Sequence, residues 1–359
     1  MRAAARAGRQ PAVVPHTRPW IGPDEEAAAL RVLRSGWLLP GPESAKAEAI
    51  LARLAGGADA VLLGSGTLAL SLALRTLGVR SGERVAIPAY GCAALVHGVR
   101  AAGAVPLLCD IEPSGVAIDP ADLGRRAAAP PRAIVLVHPF GLPARLEGLR
   151  PFGAPIVEDC AQALGAADRG RPVGSRGDAA VFSFAPAKIV TCGGPGGGLA
   201  APQASVVRQA RDLATHDERD EDRVRVNGLL GDLRAAVLLA QLERLREIAA
   251  RRAAIAARYD AAFETFGFER PRAPEGTRPI RFRYLVRVKD AARMITRLEA
   301  EGIRARHPVF LPLNRLLRDP GTFPETERAH AELVSLPLSP LLSDGEIDRV
   351  IAGVGRCRP

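Results

Sequence analysis

Aromatic residues are scarce in this sequence of 359 residues: phenylalanine, tryptophan and tyrosine together make up 4% of it. Proteins that bind single-stranded nucleic acid stack the bases on aromatic side chains. The scarcity therefore argues against a nucleic-acid partner, although the formal net charge is +10. The positive charge comes almost wholly from arginine, spread along alanine-rich segments such as residues 241–259. This spread is typical of solvated helix surfaces, and it is also compatible with an anionic small molecule.

Long apolar runs and paired cysteine motifs are also missing. No run approaches the roughly 18 to 20 apolar residues of a membrane-spanning helix, and no apolar segment of a signal peptide follows the basic N-terminus. We therefore expect a cytoplasmic protein without a membrane partner, with a transit peptide as the alternative. The cysteines form no CxxC pair and the six histidines have no metal-binding spacing, so we predict neither a disulfide framework nor a metal site. The cysteines are Cys92, Cys109, Cys160, Cys192 and Cys357.

The order of apolar segments indicates an α/β protein. Short, continuously apolar strands alternate with helices, a pattern typical of a mainly parallel sheet covered on both faces. The chain is long enough for two hydrophobic cores, and the pattern changes after Arg251. We predict an N-terminal arm over residues 1–19, a large domain over residues 20–250 and a small C-terminal α/β domain over residues 251–359.

Lys188 stands between an apolar strand and a glycine-rich turn, in the segment GDAAVFSFAPAKIVTCGGPGGG of residues 177–198. A lysine amine becomes a nucleophile when burial or nearby positive charge lowers its pKa from about 10.4. The apolar residues before Lys188 favour burial, and the glycines after it let the backbone approach a phosphate or a flat ring. A surface lysine in a flexible loop is the alternative interpretation.

The turn GSGT at residues 64–67 follows an apolar strand and opens an apolar helix. Backbone N–H groups at a helix N-terminus, together with the hydroxyls of Ser65 and Thr67, favour a phosphate ligand. A plain serine N-cap explains the same residues.

Asp159 and Gln162 lie at and just after the end of another apolar strand. Ligands of parallel sheets bind at the carboxyl ends of the strands, which brings Asp159, the GSGT turn and Lys188 to one region. Asp159 could cap a following helix, or it could pair with a buried cation such as the ring nitrogen of pyridoxal phosphate (PLP). Gln162, one helical turn later, would point the same way.

Five segments resemble, in order and spacing, the DegT/DnrJ/StrS group of sugar aminotransferases, which are fold-type-I PLP-dependent transferases. The segments are GSGTLALSLAL, VEDCAQALGA, GDAAVFSFAPAK, NGLLGDLRAAVLLAQLERL and LVSLPLSPLLSDGEIDRVI. The resemblance runs from about Arg18 to Gly355. It implies a mainly parallel central sheet flanked by helices, a smaller C-terminal α/β domain, and PLP as the cofactor.

The resemblance also implies roles for individual residues. Lys188 would bind the cofactor aldehyde covalently and then move the proton between substrate and cofactor. Asp159 would pair with the ring nitrogen, and Gln162 would contact the ring. Asn227 matches an asparagine that reaches the cofactor phosphate of the neighbouring subunit, which implies a homodimer with composite active sites. The residues expected at the phosphate are Ser65, Gly66, Thr67, Leu68 and Ser183.

Several positions depart from the family pattern. Cys92, which the resemblance places among the cofactor-binding residues, stands where an aromatic residue that stacks on the cofactor ring is common. Ala185 and Ala187 replace larger residues before the lysine, and the loop TCGGPGGG lacks the usual acidic residue. The departures therefore concentrate near the substrate.

Two residues are candidates for substrate contacts. His307 is kept in the segment HPVFLPLN, which matches a substrate loop of the family but ends in Asn314. Trp37 lies in a stretch that would line the cleft, and packing is the alternative role for it.

The resemblance predicts a PLP-dependent aminotransferase that converts a keto-sugar, most simply a nucleotide-linked one, to an amino sugar with glutamate or glutamine as donor. Two alternatives stay open. The acceptor could be a cyclitol or another carbocyclic ketone, or the chain could be a PLP-binding regulatory relative without transaminase activity. Family members that dehydrate sugars replace the lysine, so Lys188 argues against that chemistry.

Overall fold

The computed structural model describes residues 13–57, 59–113, 115–217 and 222–358. The helices are α1 Pro23–Ser35, α2 Pro42–Leu54, α3 Gly66–Thr76, α4 Ala93–Ala101, α5 Pro120–Arg126, α6 Ala204–Leu213, α7 Asp232–Glu243, α8 Leu245–Thr265, α9 Ala291–Ala300, α10 Leu313–Leu317, α11 Pro324–Glu332 and α12 Asp344–Gly355. The strands are β1 Asp59–Leu63, β2 Arg84–Pro88, β3 Val105–Cys109, β4 Ala133–Val137, β5 Ile156–Asp159, β6 Ala167–Asp168, β7 Arg171–Pro172, β8 Ala179–Ser183, β9 Gly197–Ala201, β10 Thr277–Arg278, β11 Tyr284–Arg287 and β12 Leu333–Leu336.

Seven strands form the central sheet in the order β1-β9-β8-β5-β4-β2-β3. The five strands from β8 to β3 run parallel, and β9 pairs antiparallel with both β1 and β8. The prediction of a mainly parallel sheet is therefore confirmed. Because parallel neighbours point their carboxyl ends the same way, the loops after β5 and β8 lie side by side.

Both faces of the sheet are buried, as its continuously apolar strands predict. In β4, Ala133, Val135 and Val137 belong to one hydrophobic cluster, while Ile134 and Leu136 belong to another. Side chains alternate across a strand, so the two clusters cover opposite faces. Helices α3, α4 and α6 pack with the first cluster.

The C-terminal part of the chain has a hydrophobic cluster of its own, built around α8, α9, α12 and the antiparallel pair β11–β12. Val14, from the predicted arm, is buried in this cluster, and its N–H donates to the Gly302 carbonyl at 2.8 Å. The arm thus packs on the C-terminal part over residues 13–19. The predicted division near residue 250 falls inside α8 and stays a prediction.

The segment before β11 packs back onto the central sheet. β10 pairs with β6, and Ile280 and Phe282 belong to the cluster that contains Ile189 and Leu245. This return places Phe282 and the residue after it beside the loop that follows β8. Among the helices described, none has the length and hydrophobicity needed to cross a membrane.

Candidate active site

Lys188 lies in the loop between β8 and β9. Two backbone hydrogen bonds hold the loop: the Cys192 N–H donates to the Phe184 carbonyl, and the Lys188 N–H donates to the Ala185 carbonyl, both at 2.9 Å. Phe184 is fully buried and anchors the start of the loop. The Lys188 Nζ lies 5.5 Å from the centroid of the Phe282 ring. The loop therefore holds the Lys188 amine beside the Phe282 ring.

Burial lowers the pKa of Lys188, and the positive charge of Arg283 adds to this shift while the Asp159 carboxylate opposes it. A lower pKa increases the share of neutral amine, which is the nucleophilic form. The chain has two other lysines, Lys46 and Lys289, and both are exposed. Lys188 is therefore the lysine whose surroundings suit covalent chemistry.

Asp159 ends β5, the strand next to β8, and its Oδ1 accepts a hydrogen bond from the Ala161 N–H at 2.9 Å. Burial raises the pKa of Asp159, although the Ala161 N–H and the charge of Lys188 oppose this shift. A bound cation beside Asp159 would favour its charged form. The alternative of a helix cap does not apply, because residues 161–165 form turns and not a helix.

Gln162 lies in these turns, so the helical spacing expected between it and Asp159 was wrong, and its contact with the cofactor stays a prediction. Its Oε1 accepts a hydrogen bond from the Phe140 N–H at 2.8 Å, so the amide nitrogen is the group that could donate to a ligand. Phe140 has a φ of 59°, a strained conformation for a bulky residue that costs about 1–3 kcal/mol. Its carbonyl accepts from the Arg283 N–H at 3.2 Å.

The predicted phosphate-binding residues converge at the start of α3. Ser65 is the N-cap, since its Oγ accepts a hydrogen bond from the Leu68 N–H at 3.1 Å. The Leu68 N–H is therefore already used, and α3 offers an anion the N–H groups of Gly66 and Thr67. Ser183 lies beside them, since a Cβ built on Gly66 would lie 3.4 Å from the Ser183 Oγ.

Gly197 packs closely against this helix N-terminus. It pairs with Ser183 across β8 and β9, and a Cβ built on it would lie 2.4 Å from the Gly66 nitrogen and from the Ser65 carbonyl carbon. Any side chain at Gly197 would displace the backbone that offers the N–H donors. The glycine-rich segment after Lys188 therefore packs against the start of α3.

Cys92 is the N-cap residue of α4 and is exposed. It lies close enough to Lys188 and Arg283 to raise the pKa of both. Tyr90 does not replace the missing stacking ring, because it is buried and its hydroxyl donates to the Ala329 carbonyl at 3.4 Å. The Cys92 thiol is thus the side chain at the position where the family commonly has an aromatic ring.

Asn227 is exposed beside the strand–helix junction that holds Ser65. The carbonyl of its neighbour Gly228 accepts a hydrogen bond from the Gly64 N–H at 2.7 Å. Its side chain lies at the surface of the described chain. The amide is therefore available to a second subunit.

Trp37 and His307 are not brought against Lys188 by the contacts that the structure shows. Trp37 is 56% exposed and its indole packs at Gly41. The His307 Nδ1–H donates to the His330 carbonyl at 3.0 Å, and the two imidazole rings stack with centroids 4.5 Å apart. The Asn314 amide nitrogen donates to the Glu327 carboxylate at 2.7 Å, which favours a structural role for Asn314.

A buried pair beneath Asp159 was not singled out from the sequence. The His138 Nδ1 accepts from the Ala144 N–H at 2.9 Å, so the His138 Nε2–H donates to the Glu158 carboxylate at 3.0 Å. Glu158 also accepts from three backbone N–H groups, at Gly174, Arg176 and Gly177. Burial opposes its ionisation, but these hydrogen bonds outweigh burial and lower the pKa of Glu158 to about 2.

Cys160 lies beside this pair. The His138 Nε2, a Glu158 oxygen and the Cys160 Sγ all lie within 4.8 Å of one another. The histidine and the carboxylate bond each other and the backbone, and burial raises the pKa of the Cys160 thiol. The cluster therefore fits a structural network that supports the end of β5.

Three comparisons with known proteins match nearly the whole chain. A family model described as the DegT/DnrJ/EryC1/StrS aminotransferase family matches residues 19–355. The erythromycin biosynthesis sensory transduction protein EryC1 of Saccharopolyspora erythraea is 35% identical over 346 residues, which are 92% of this chain and 94% of that protein.

Solved structures match equally well in shape. DesV of S. venezuelae, determined in complex with a ketimine intermediate, is 31% identical with a TM-score of 0.88 over 93% of this chain and 94% of that chain. The sugar aminotransferase CalS13 of Micromonospora echinospora is 26% identical with a TM-score of 0.86 over 96% and 99% of the two chains.

Proposed function

This chain belongs to the DegT/DnrJ/EryC1/StrS family of PLP-dependent aminotransferases, and we propose that it transfers an amino group from glutamate or glutamine to a nucleotide-linked keto-sugar. The observation that carries the proposal is the convergence of Lys188, Asp159 and the start of α3 on one region. The match to the sugar aminotransferase CalS13 supports a sugar as acceptor.

The side chains fit PLP at three points. The Gly66 and Thr67 N–H groups with the Ser183 hydroxyl suit the phosphate, and Gly197 lets β9 pack against this helix start without displacing it. The Asp159 carboxylate, half-buried and bonded to one backbone N–H, suits a protonated ring nitrogen. The Lys188 amine, with its lowered pKa, suits the aldehyde.

When bound, PLP withdraws electrons from the substrate carbon and so makes its proton acidic. The residues of the chain supply position and proton transfer. With PLP bound, Lys188 Nζ would take up this proton and deliver it to the cofactor carbon on the other side of the transferred nitrogen, which requires the neutral amine that burial favours. Asp159 would keep the ring nitrogen charged, and the Gln162 amide, whose oxygen the Phe140 N–H fixes, would orient the ring.

We also propose a homodimer with composite active sites. Asn227 is exposed at the strand–helix junction of the phosphate end. Trp37, Leu38 and Leu39 form an exposed apolar run, with 56%, 51% and 69% of their surfaces accessible. A second subunit covering this run would remove it from water.

The proposed function is tested with purified, PLP-loaded protein and a set of nucleotide-linked 3-keto and 4-keto sugars. We expect ¹⁵N from labelled glutamate or glutamine to appear in one amino sugar. If both donors convert the cofactor but no sugar accepts the nitrogen while a cyclitol ketone does, the acceptor class is wrong.

A regulatory function is the second candidate, because the 35% identical relative EryC1 is named as a sensory transduction protein. The two candidates differ at the first half-reaction. An enzyme loses the visible absorption of bound PLP when glutamate is added, whereas a regulator that only binds PLP keeps it.

A further inference from the structure

A group of arginines gathers beside Lys188 around the buried side chain of His16. The His16 Nε2 lies 2.9 Å from the Ser335 hydroxyl, and the Arg283 Nη1 lies 3.3 Å from the same ring nitrogen. Burial lowers the pKa of His16 to about 3, and the charges of Arg283, Arg306 and Arg252 add to the shift. His16 is therefore neutral and cannot be their counter-charge.

Arg283 has no carboxylate partner among the described residues, as their ion pairs show. Its Nη1 contacts with His16 and with the Ser335 hydroxyl are long, at 3.3 to 3.5 Å, and its Nε is buried without a hydrogen bond. The neighbouring Arg281 differs, because it faces the Asp260 carboxylate at 3.8 Å. A half-buried guanidinium whose Nε is buried without a partner is poorly compensated in the absence of an anion, so Arg283 is suited to receive one.

Arg252 does not share this feature. Its Nη1 donates to the carbonyls of Leu338 at 2.8 Å and Phe282 at 3.2 Å, and these hydrogen bonds hold the segment that carries Arg283 in place. Arg306 is exposed and contributes positive charge from the outer side. The titratable groups that act on Arg283 are thus of three kinds. They are cationic side chains, the neutral imidazole of His16, and the side chains of Tyr90 and Cys92.

Arg283 adjoins the groups of the candidate active site. The Phe282 ring lies 5.2 Å from the Arg283 Cζ and 5.5 Å from the Lys188 Nζ, so one ring contacts both cations. The Arg283 N–H donates to the carbonyl of Phe140, whose own N–H holds Gln162. An anion bound by Arg283 would therefore lie near the reacting amine.

We propose that Arg283 binds the α-carboxylate of the amino donor, an inference that rests on the proposed function. The α-carboxylate is one bond from the carbon that carries the transferred nitrogen, so it must lie beside Lys188. The diphosphate of a nucleotide-linked sugar is separated from the reacting carbon by the sugar ring, and this distance favours the carboxylate. A planar guanidinium pairs with a carboxylate through two parallel N–H···O bonds.

The test compares L-glutamate with L-isoglutamine, in which the α-carboxylate is a neutral amide. The rate at which each donor removes the visible absorption of bound PLP is measured against donor concentration. We expect Arg283→Gln to lower kcat/KM for glutamate by about 100-fold or more, and to change that for isoglutamine by only a few-fold. The matched control Arg281→Gln should leave the preference for glutamate unchanged.

A preference for glutamate that survives in Arg283→Gln overturns the proposal, and so does an equal loss for both donors. If Arg283→Gln does not fold, Arg283→Lys carries the test, because it keeps the charge and loses the planar fork. We expect its preference for glutamate to fall about tenfold, and an unchanged preference would count against the proposal.

Calorimetry of the PLP-loaded protein separates this inference from the proposed function. Glutarate, a dicarboxylate that has no amine to transfer, should bind at least about tenfold more weakly to Arg283→Gln than to the unaltered protein. If no donor reacts with the unaltered protein, the proposed function fails while the glutarate affinities still decide the role of Arg283. Weaker binding of UDP together with unchanged binding of glutarate would assign Arg283 to a phosphate and overturn the proposal.

Discussion

Glu158 and Arg283 are charged groups of opposite sign beside the same candidate active site, and the protein satisfies them very differently. Glu158 accepts hydrogen bonds from His138 and from three backbone N–H groups. Arg283 keeps a buried Nε without a partner and faces a neutral histidine. A charge that the fold surrounds with hydrogen bonds stabilises the fold, whereas a charge left open can bind a ligand.

Lys188 belongs with Arg283 in this comparison, and its removal should have the largest effect. Lys188→Ala should abolish the covalent link to PLP and lower transamination by about 10²–10⁴-fold from the lost proton transfer alone. We expect little change in the free energy of unfolding, because a desolvated amine is removed and not a bonded one. Visible absorption, turnover and urea unfolding measure these effects.

Lys289→Ala is the control, since Lys289 is exposed. Visible absorption that survives unchanged in Lys188→Ala would show that another group binds the aldehyde.

Removal of Glu158, unlike removal of Lys188, should strongly lower the free energy of unfolding. Glu158→Ala leaves the buried His138 and three N–H groups without their acceptor, and we expect a loss of about 3–5 kcal/mol in the free energy of unfolding. Urea denaturation in the apo form measures it. The matched control Glu147→Ala removes a carboxylate that is 53% exposed and should cost less than about 1 kcal/mol.

A different result would be that Glu158→Ala lowers the free energy of unfolding no more than Glu147→Ala does. That result would show that the hydrogen bonds of Glu158 do not stabilise the fold, and the contrast drawn between Glu158 and Arg283 would be wrong.

The arginines around His16 lead to a prediction about how the free energy of unfolding depends on pH, with a smaller expected effect. The pKa of His16 is lowered to about 3 in the folded chain, while an unfolded histidine titrates near 6.5. Between these values the unfolded state binds the proton and the folded state does not, so stability rises with pH. We expect it to fall by up to about 1.4 kcal/mol for each unit of acidification between pH 6 and pH 5.

His16→Gln should remove this dependence, and His97→Gln, a change at an exposed histidine, should keep it. Unfolding free energies measured at pH 7, 6 and 5 give the slopes. Equal slopes in the unaltered protein and His16→Gln would mean that His16 is already charged in the folded chain.

Parts of the candidate site were predictable because they depend on local signals. The apolar strand before Lys188, the strand that ends at Asp159 and the GSGT turn each combine a strand end with a polar residue, and parallel pairing brings such ends together. Ser65 caps α3, which is one of the two interpretations of its turn, and its contact with a phosphate stays a prediction. The roles assigned to the individual site residues stay predictions, and those of Asn227, Trp37 and His307 have no contact with Lys188 to support them.

Other parts were not predictable because their partners are distant in the chain. His16 contacts Ser335, and Arg283 bonds the backbone of Phe140. Gln162 reaches its place through turns, although its spacing from Asp159 suggested a helix. An arginine in the segment PIRFRYLVRV carries no local sign of whether a carboxylate will meet it.

The order of strands and helices, the lysine of the glycine-rich loop and the family follow from the sequence, because periodicity, turn chemistry and motif spacing are local properties of the chain. The tertiary structure decided which buried charges are satisfied. That outcome depends on which segments meet, since desolvation and hydrogen bonding act over a few ångströms whatever the separation in sequence. The packing of residues 277–283 against the central sheet therefore places the Phe282 ring beside Lys188. It also places the Arg283 guanidinium where no carboxylate of the described residues pairs with it.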